Sequence, residues 1–185
     1  NNPILVLVPI QTEGLEPSTQ NRRCAETMAL FLSTTINKVD RKGRVSVPAA
    51  FRAVLSGQAF HGIVAFPSFK HPAVQCGGMD WIEKLGAGVD AFDMFSDEHD
   101  TLTAALFANA QQLAFDGEGR VMLPEALVAH ADLSEQAAFV GRGPLFEVWN
   151  PEAFNAYQAD AVRQAAEKGL TLRPGTPPGG TGGQP

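Results

Sequence analysis

The sequence predicts an α+β fold that is mainly β, with internal pseudo-twofold symmetry and helices at its periphery. The first observation is a repeat: residues 40–48 read DRKGRVSVP, and residues 116–124, 76 positions later, read DGEGRVMLP. Five positions are identical, and a sixth is aliphatic in both copies. The second observation is that strand-like and helix-like segments follow in the same order in each copy. Because one such unit is too small to enclose a core, we expect two intertwined units that form a small closed barrel without edge strands.

The first copy begins with a run of β-branched residues, which is typical of a strand. Asp40 and Gly43 supply the turn chemistry that follows, since Asp bonds its own downstream backbone and Gly accepts positive φ. Val45 and Val47 then alternate with polar residues, and Pro48 suits the first position of a helix, where its missing N–H needs no partner. The predicted elements are a strand over 33–39, a turn over 40–43, a strand over 44–47, a helix over 49–55 and a strand over 59–66.

The second copy repeats this order. The predicted elements are strands over 111–115 and 120–123, a helix over 124–131, strands over 137–140 and 145–149, and a helix over 151–168. The start of the last helix is the best defined, because Asn150, Pro151 and Glu152 place a cap, a proline and an acid at successive positions. Residues 99–110 have helical composition and predict a helix that connects the copies.

These elements predict six segments along the chain. They are an upstream extension over 1–27, expected to be disordered and to take no part in the fold, a first unit over 33–85, a linker with the connecting helix over 86–110, a second unit over 111–154, a C-terminal helix over 155–168, and a disordered Gly/Pro-rich tail over 169–185. The stretch from 66 to 88 is rich in glycine and leaves the end of the first unit open.

Charge is distributed unevenly along the chain. The formal net charge is -6, which taken alone argues against a nucleic-acid partner. However, five of the 14 Lys and Arg residues lie within fifteen positions, where only Asp40 opposes them; they are Lys38, Arg41, Lys42, Arg44 and Arg52. The second copy has Gly117 and Glu118 in place of Arg41 and Lys42. The same scaffold is therefore expected to have one strongly basic edge and one nearly neutral edge.

The doubled pattern Asp-x-x-Gly-Arg-Val-x-Val/Leu-Pro resembles the SpoVT/AbrB-type swapped-hairpin DNA-binding domain. Two tandem copies joined by a helix are similar to the MraZ family of transcriptional regulators, and the resemblance spans residues 28–168. Its most specific parts are residues 40–52 and Phe146-Glu147-Val148-Trp149. The resemblance implies a swapped-hairpin, double-psi-like barrel and a homo-oligomeric ring that binds direct repeats in promoter DNA. It also implies autorepression of a division and cell-wall gene cluster, in the cytoplasm at the nucleoid.

The physical chemistry of a basic β-hairpin agrees with that expectation. A two-stranded ribbon fits the major groove, where an arginine fork bonds guanine O6 and N7, worth about 1–3 kcal/mol of discrimination. Alternation along the strand directs Arg44 away from the core and makes it the candidate for base contact. Arg41 and Lys42, at the turn, are better placed for phosphates. Lys38 and Arg52 are further candidates, and Arg52 is equally consistent with a solvated side chain.

Each of these roles has a structural alternative. Arg44 and Arg120 can pair with Asp40 and Asp116 to brace the turns. This alternative is favoured for Arg120, because Glu118 beside it lowers the positive electrostatic potential that DNA binding needs. Trp81, Trp149, Phe154 and Tyr157 are expected to pack helices onto the barrel, while the alanine-rich face of 153–166 is equally suited to a subunit interface.

No enzyme, cofactor or metal site is predicted. His61, His71 and Cys76 match no zinc spacing, Gly141-Arg142-Gly143 is interpreted as a hairpin turn, and no nucleophile has a base at plausible spacing. Cys24 and Cys76 give no disulfide framework, which favours a reducing cytoplasm. Residues 3–10 are apolar but too short for a membrane span, so no membrane is expected as a partner. No small-molecule substrate is expected either, because no catalytic site is predicted. The functional alternatives are an antitoxin-like regulator of the same fold, disfavoured by a tail with few anchors, a small barrel enzyme, and a structural ring that binds no DNA.

Overall fold

A computed structural model describes residues 30–170 of the chain. The predictions for residues 1–27, and for 171–185 of the predicted tail, lie outside this range. The elements in chain order are β1 (Thr34–Lys38), β2 (Arg44–Ser46), α1 (Ala49–Val54), β3 (Gly62–Pro67), β4 (Ala73–Gly77), α2 (Met79–Val89), α3 (Asp97–Leu106), β5 (Gln111–Ala114), β6 (Arg120–Met122), α4 (Glu125–His130), β7 (Gln136–Gly141), β8 (Phe146–Trp149) and α5 (Pro151–Glu167). The α+β class with mainly antiparallel sheet is confirmed.

The two copies exchange strands. A six-stranded antiparallel sheet has the order β1-β7-β8-β4-β3-β5, and a separate ribbon pairs β2 with β6. The first strand of each copy therefore pairs with the third strand of the other, while the two second strands pair with each other. The strand order is symmetric about the β8–β4 pair, so the repeat in sequence becomes a pseudo-twofold relation in topology. Neither copy holds a complete set of strand partners without the other.

The predicted closed barrel is not found within residues 30–170. β1 and β5 lie at opposite ends of the sheet order, and the β2–β6 ribbon is a second sheet. β1 and β2 form no ladder with each other: an isolated bridge pairs Val39, just after β1, with Val45, and Asn37 Nδ2 donates to Ser46 O. The physical reason lies in the turns: each second strand is three residues long and leaves a turn with a left-handed glycine, so the ladder of the large sheet ends before it.

Repeated aliphatic positions become the shared core. The repeated pair Val45 and Val121 is buried, and so are the next two repeated pairs, Val47 with Leu123 and Phe51 with Leu127. The Phe51 ring lies 5.3 Å from Phe31 and 5.1 Å from Phe146, centroid to centroid, so both copies contribute to one aromatic cluster. Burying a side chain of this size stabilises the fold by about 1.5–3 kcal/mol. The aliphatic pattern of the repeat is thus explained by packing alone.

Aromatic residues attach the outer helices, as predicted. Trp81 of α2 stacks on Phe66 of β3 at 5.5 Å, and Tyr157 of α5 stacks on Trp149 of β8 at 5.1 Å. The start of α5 also agrees with the sequence, because the Asn150 side chain accepts hydrogen bonds from the Glu152 and Ala153 amides. α2 and α5 occupy equivalent places after the fourth strand of each copy, which extends the symmetry to the helices.

Several boundaries differ from the prediction. β4 was not predicted, because Ala73–Gly77 is short, has no alternation and is followed by glycines that suggest a loop. β3 begins at Gly62 rather than at residue 59. The connecting helix α3 begins two residues earlier than predicted, since Ser96 caps it by accepting from the His99 amide, and ends four residues earlier. Pro48 and Pro124 occupy the N-cap position, one residue before the first helical position.

Candidate nucleic-acid interface

The two repeat turns have the same hydrogen-bonded structure. Asp40 Oδ1 accepts from the amides of Lys42 at 2.8 Å and Arg44 at 2.9 Å. Asp116 Oδ1 accepts from the equivalent amides of Glu118 and Arg120, each at 2.9 Å. Each turn is completed by a glycine with positive φ, +77° in the first copy and +72° in the second. Asp and Gly recur in the repeat because this turn needs an acceptor at its first position and left-handed backbone at its fourth.

The repeated arginine pairs with the repeated aspartate. Arg44 Nε donates to Asp40 Oδ2 at 2.7 Å, and Arg120 Nε donates to Asp116 Oδ2 at 2.8 Å. The bracing role that the sequence offered as an alternative is therefore present in both copies. It leaves the Arg44 side chain 34% exposed, on the outer face of the ribbon.

The turns shift the pKa values of their carboxyl groups downward. The backbone hydrogen bond from Arg44, followed by that from its side chain, lowers the pKa of Asp40. The equivalent bonds from Arg120 lower the pKa of Asp116 to about 2. The side-chain hydrogen bond to Asp116 raises the pKa of Arg120. Since hydrogen bonds that favour the charged form stabilise it, both aspartates are ionised throughout the ordinary pH range.

The surfaces of the two turns differ. Arg41 and Lys42 are exposed at the tip of the first turn, where the second has Gly117 and Glu118. In the second copy Glu118 Oε2 lies 2.7 Å from Arg120 Nη1 and neutralises it further. Counting Lys38 at the end of β1, four cations face one carboxylate in the first copy, whereas one cation faces two carboxylates in the second. The backbone is thus repeated and the charge is not.

The β2–β6 ribbon sets which way these side chains face. Arg44 lies opposite Met122 and Ser46 lies opposite Arg120, while the central pair Val45 and Val121 is buried. The predicted alternation, with the valine inside and the arginine outside, is confirmed. Gly119 O accepts from the Val47 amide and Gly43 O from the Leu123 amide, so each turn is fixed to the other copy.

Arg52 lies apart from the other predicted cations. Its Nε donates to Val47 O at 3.2 Å, and its guanidinium covers Gly119, where an added Cβ would lie 2.5 Å from Nη1. Arg52 therefore ties α1 of the first copy to the turn of the second. It lines a cleft of about 560 Å³ between them, together with His61 and Phe115.

Other candidates from the sequence have structural partners. His61 packs edge-on against Phe115, and His71 packs against Trp149 and Tyr157. Within residues 30–170 there is no group of three or more His, Cys, Asp or Glu side chains that could hold a metal ion. In the same range no helix has the length and apolar character needed to cross a membrane.

One buried polar network was not foreseen from the sequence. Glu147, on β8, is buried and accepts from Arg142 Nε at 2.8 Å and from Trp149 Nε1 at 2.9 Å. The Arg142 turn was predicted, but Arg142 and Glu147 are separated by a hairpin and their pairing has no local sequence signal. The network fixes this hairpin next to α5, because Arg142 Nη2 also donates to Tyr157 Oη.

Fold and site together define a class of protein: a duplicated α+β module in which two copies exchange strands and one of two equal turns is strongly basic. Comparison with known proteins gives the family. Residues 106–173 match a family model described as "MraZ protein, putative antitoxin-like".

Two relatives match most of the chain. The "Transcriptional regulator MraZ" of Rickettsia typhi is 48% identical over 146 residues, which cover 79% of this chain and 98% of the relative. That of Rickettsia bellii is 48% identical over 147 residues, with the same coverage. The chain therefore belongs to the MraZ family.

Proposed function

We propose that the chain is a sequence-specific DNA-binding transcriptional regulator that contacts DNA through the hairpin of its first copy. The observation that carries this proposal is the charge difference between two turns of equal geometry. A turn needed only for folding has no reason to expose Arg41 and Lys42, since the second copy builds the same turn with Gly117 and Glu118. The names of the relatives support the same function.

The exposed residues divide into two roles. Arg44 is the base-contacting candidate: Asp40 Oδ2 lies 2.7 Å from both its Nε and its Nη2, and the side chain is 34% exposed. Arg41, Lys42 and Lys38 are exposed and suited to phosphates. Each phosphate contact contributes about 0.9 to the slope of log affinity against log salt, so one hairpin binds weakly. Arg52 acts as a brace between copies and contributes little to DNA affinity.

The finer features of the proposal follow from the family resemblance. They are a swapped-hairpin arrangement with units over 33–85 and 111–154, a homo-oligomeric ring, binding to direct repeats in its own promoter, and autorepression in the cytoplasm at the nucleoid. Several identical hairpins on one ring would convert weak contacts into useful avidity when repeats match their spacing. No catalytic step is part of the proposal.

The test is a titration of the full chain against labelled DNA from its own upstream region, with two repeats or one, at two salt concentrations. Arg44→Ala is compared with Arg120→Ala, which removes the same aspartate brace from the second copy. We expect Arg44→Ala to lose about tenfold or more in affinity, the order of one good guanine contact, and Arg120→Ala to stay within about twofold. Equal losses in both variants would show that the arginine acts through the fold and not through DNA.

An antitoxin-like regulator is the second candidate, because the matched family model carries that description. Its test is co-purification of a small toxin with the chain expressed beside its neighbouring genes. If folded, oligomeric wild type binds neither promoter fragment, the result favours a structural ring without DNA binding.

A further inference from the structure

An exposed acidic segment follows α2 and includes the first turn of α3. It covers residues 90–100 and includes five carboxylates, and there is no Lys or Arg between Lys84 and Arg120. Within it Phe95 is 94% exposed and Met94 71% exposed. Exposed apolar side chains that are grouped together and rimmed by polar residues mark interaction sites.

Local hydrogen bonds form a turn within this exposed segment. Asp93 Oδ1 accepts from the Phe95 amide at 2.9 Å, and Asp93 O accepts from the Ser96 amide at 2.9 Å. The Ser96 side chain then caps α3. Phe95 and Met94 are therefore presented by a folded turn, which lowers the entropy that a partner would have to offset.

The basic hairpin, residues 34–46, has the opposite charge and its own exposed apolar side chains. Ile36 is 50% exposed on the same face of β1 as Lys38, and Met122, opposite Arg44 on the paired strand, is 57% exposed. DNA phosphates would complement the cations of this surface but not Ile36. An acidic segment with aromatic side chains complements both.

We propose that the acidic segment of one copy of this chain docks on the basic hairpin of a second copy and competes there with DNA. The two surfaces are different, so the contact is heterologous: in a pair of copies, one retains a free basic hairpin and the other a free acidic segment. DNA must then displace a carboxylate-bearing segment to reach Arg41, Lys42 and Arg44. The competition rests on the proposed function, whereas the contact between copies does not.

The contact is tested by disulfide cross-linking between two single-site proteins. Full-length Phe95→Cys and Ile36→Cys, each with Cys24→Ser, are mixed and oxidised; burial raises the pKa of the Cys76 thiol and keeps it unreactive. We expect a 95–36 link, identified by mass spectrometry, in clear excess over a control mixture of Phe95→Cys with Val162→Cys, an exposed site on α5. No excess over the control, or a predominant 95–95 link, would overturn the proposal.

The competition is tested in two ways. Promoter DNA should lower the yield of the 95–36 link, and Asp93→Asn/Phe95→Ala should self-associate less and bind DNA about three- to tenfold more tightly at equal concentration. Asp160→Asn/Val162→Ala, which removes one charge and one exposed apolar side chain from α5, should change neither property. An unchanged link yield in DNA, or unchanged or weaker DNA binding by the first variant, would overturn the competition. If the cysteine variants form the link but wild type binds no DNA, the proposed function is contradicted instead.

Discussion

The turns at Asp40 and at Asp116 have the same hydrogen-bonded structure but differ in surface charge. Both use the same carboxylate acceptor, the same left-handed glycine and the same arginine pair, with equivalent distances that differ by 0.1 Å or less. Only the residues at the tip and on the neighbouring strand differ in charge. The features that the fold requires are therefore present in both copies, whereas the basic tip, which the proposed function assigns to DNA, is present in one.

The largest effect is expected from exchanging the tips of the two turns. Arg41→Gly/Lys42→Glu gives the first turn the residues of the second, and should reduce DNA affinity about 60-fold at 0.1 M salt if both cations contact phosphates. The fold should be unaffected, because the second copy forms this turn with those residues. The measurement is fluorescence anisotropy with promoter DNA, beside thermal unfolding.

The reciprocal exchange, Gly117→Arg/Glu118→Lys, sharpens the same comparison. Gly117 does not have positive φ, and a Cβ there would meet open space, so the side chains are accommodated. Added to the first exchange, it should restore part of the lost affinity if the second turn can reach DNA. An exchanged first turn that binds as tightly as wild type would contradict the proposed interface.

The next effect is on stability and distinguishes the glycines. Gly119→Ala places an alanine at positive φ, which costs about 1–2 kcal/mol, and also displaces the Arg52 guanidinium. Gly57→Ala is a matched control, because Gly57 has φ of +87° and no atom within 4 Å of an added Cβ. Urea unfolding should show a larger loss for Gly119→Ala, and the difference should disappear when both are made with Arg52→Ala. A difference that survives would rule out the Arg52 contact as its cause.

Much of this fold could be predicted from local patterns. The repeat, the two valines that alternate with polar residues and the Asn150 cap each depend on neighbours a few positions apart, and these elements lie close to their predicted places. The exchange of strands agrees with the predicted intertwining of the two units. The prediction of a closed barrel was wrong, because closure depends on the lengths of the strand ladders, which the sequence of short strands does not reveal. β4 was missed because its own residue pattern does not predict a strand. It is a strand because it pairs with β3 on one side and with β8 on the other.

The site was predictable to the same extent and for the same reason. Arg41, Lys42 and Lys38 are exposed as expected because turn tips and strand ends project from the surface. The position of Arg52 on Gly119 was not predictable, since it depends on a contact between residues 67 positions apart that only the pairing of the copies creates. Sequence reasoning therefore located the charged surface and missed the brace behind it.

The smallest effect concerns the charge of the turn aspartates. Asp116→Asn keeps an oxygen for the two amides and removes the charge that holds Arg120, so the variant should melt at a lower temperature than wild type at neutral pH. The pKa of Asp116 is depressed from its ordinary 3.8 to about 2, so its charge stabilises the fold fully above about pH 4. That contribution is lost as pH falls toward 2.

The melting difference between wild type and Asp116→Asn should therefore shrink between pH 4 and pH 2, measured by circular dichroism. Asp40→Asn should follow the same trend, because the pKa of Asp40 is lowered by the same kind of bonds. Glu135→Gln, at an exposed carboxylate outside both turns, controls for the general effect of removing one charge. If the difference stayed constant down to pH 2, the charge of Asp116 would not be its cause. The repeated aspartate would then be explained by its hydrogen bonds to the backbone amides and not by its ion pair with the arginine. If it shrinks in both variants, the Asp–Arg pair stabilises each turn, and the charge at the turn tip is what remains specific to the first copy.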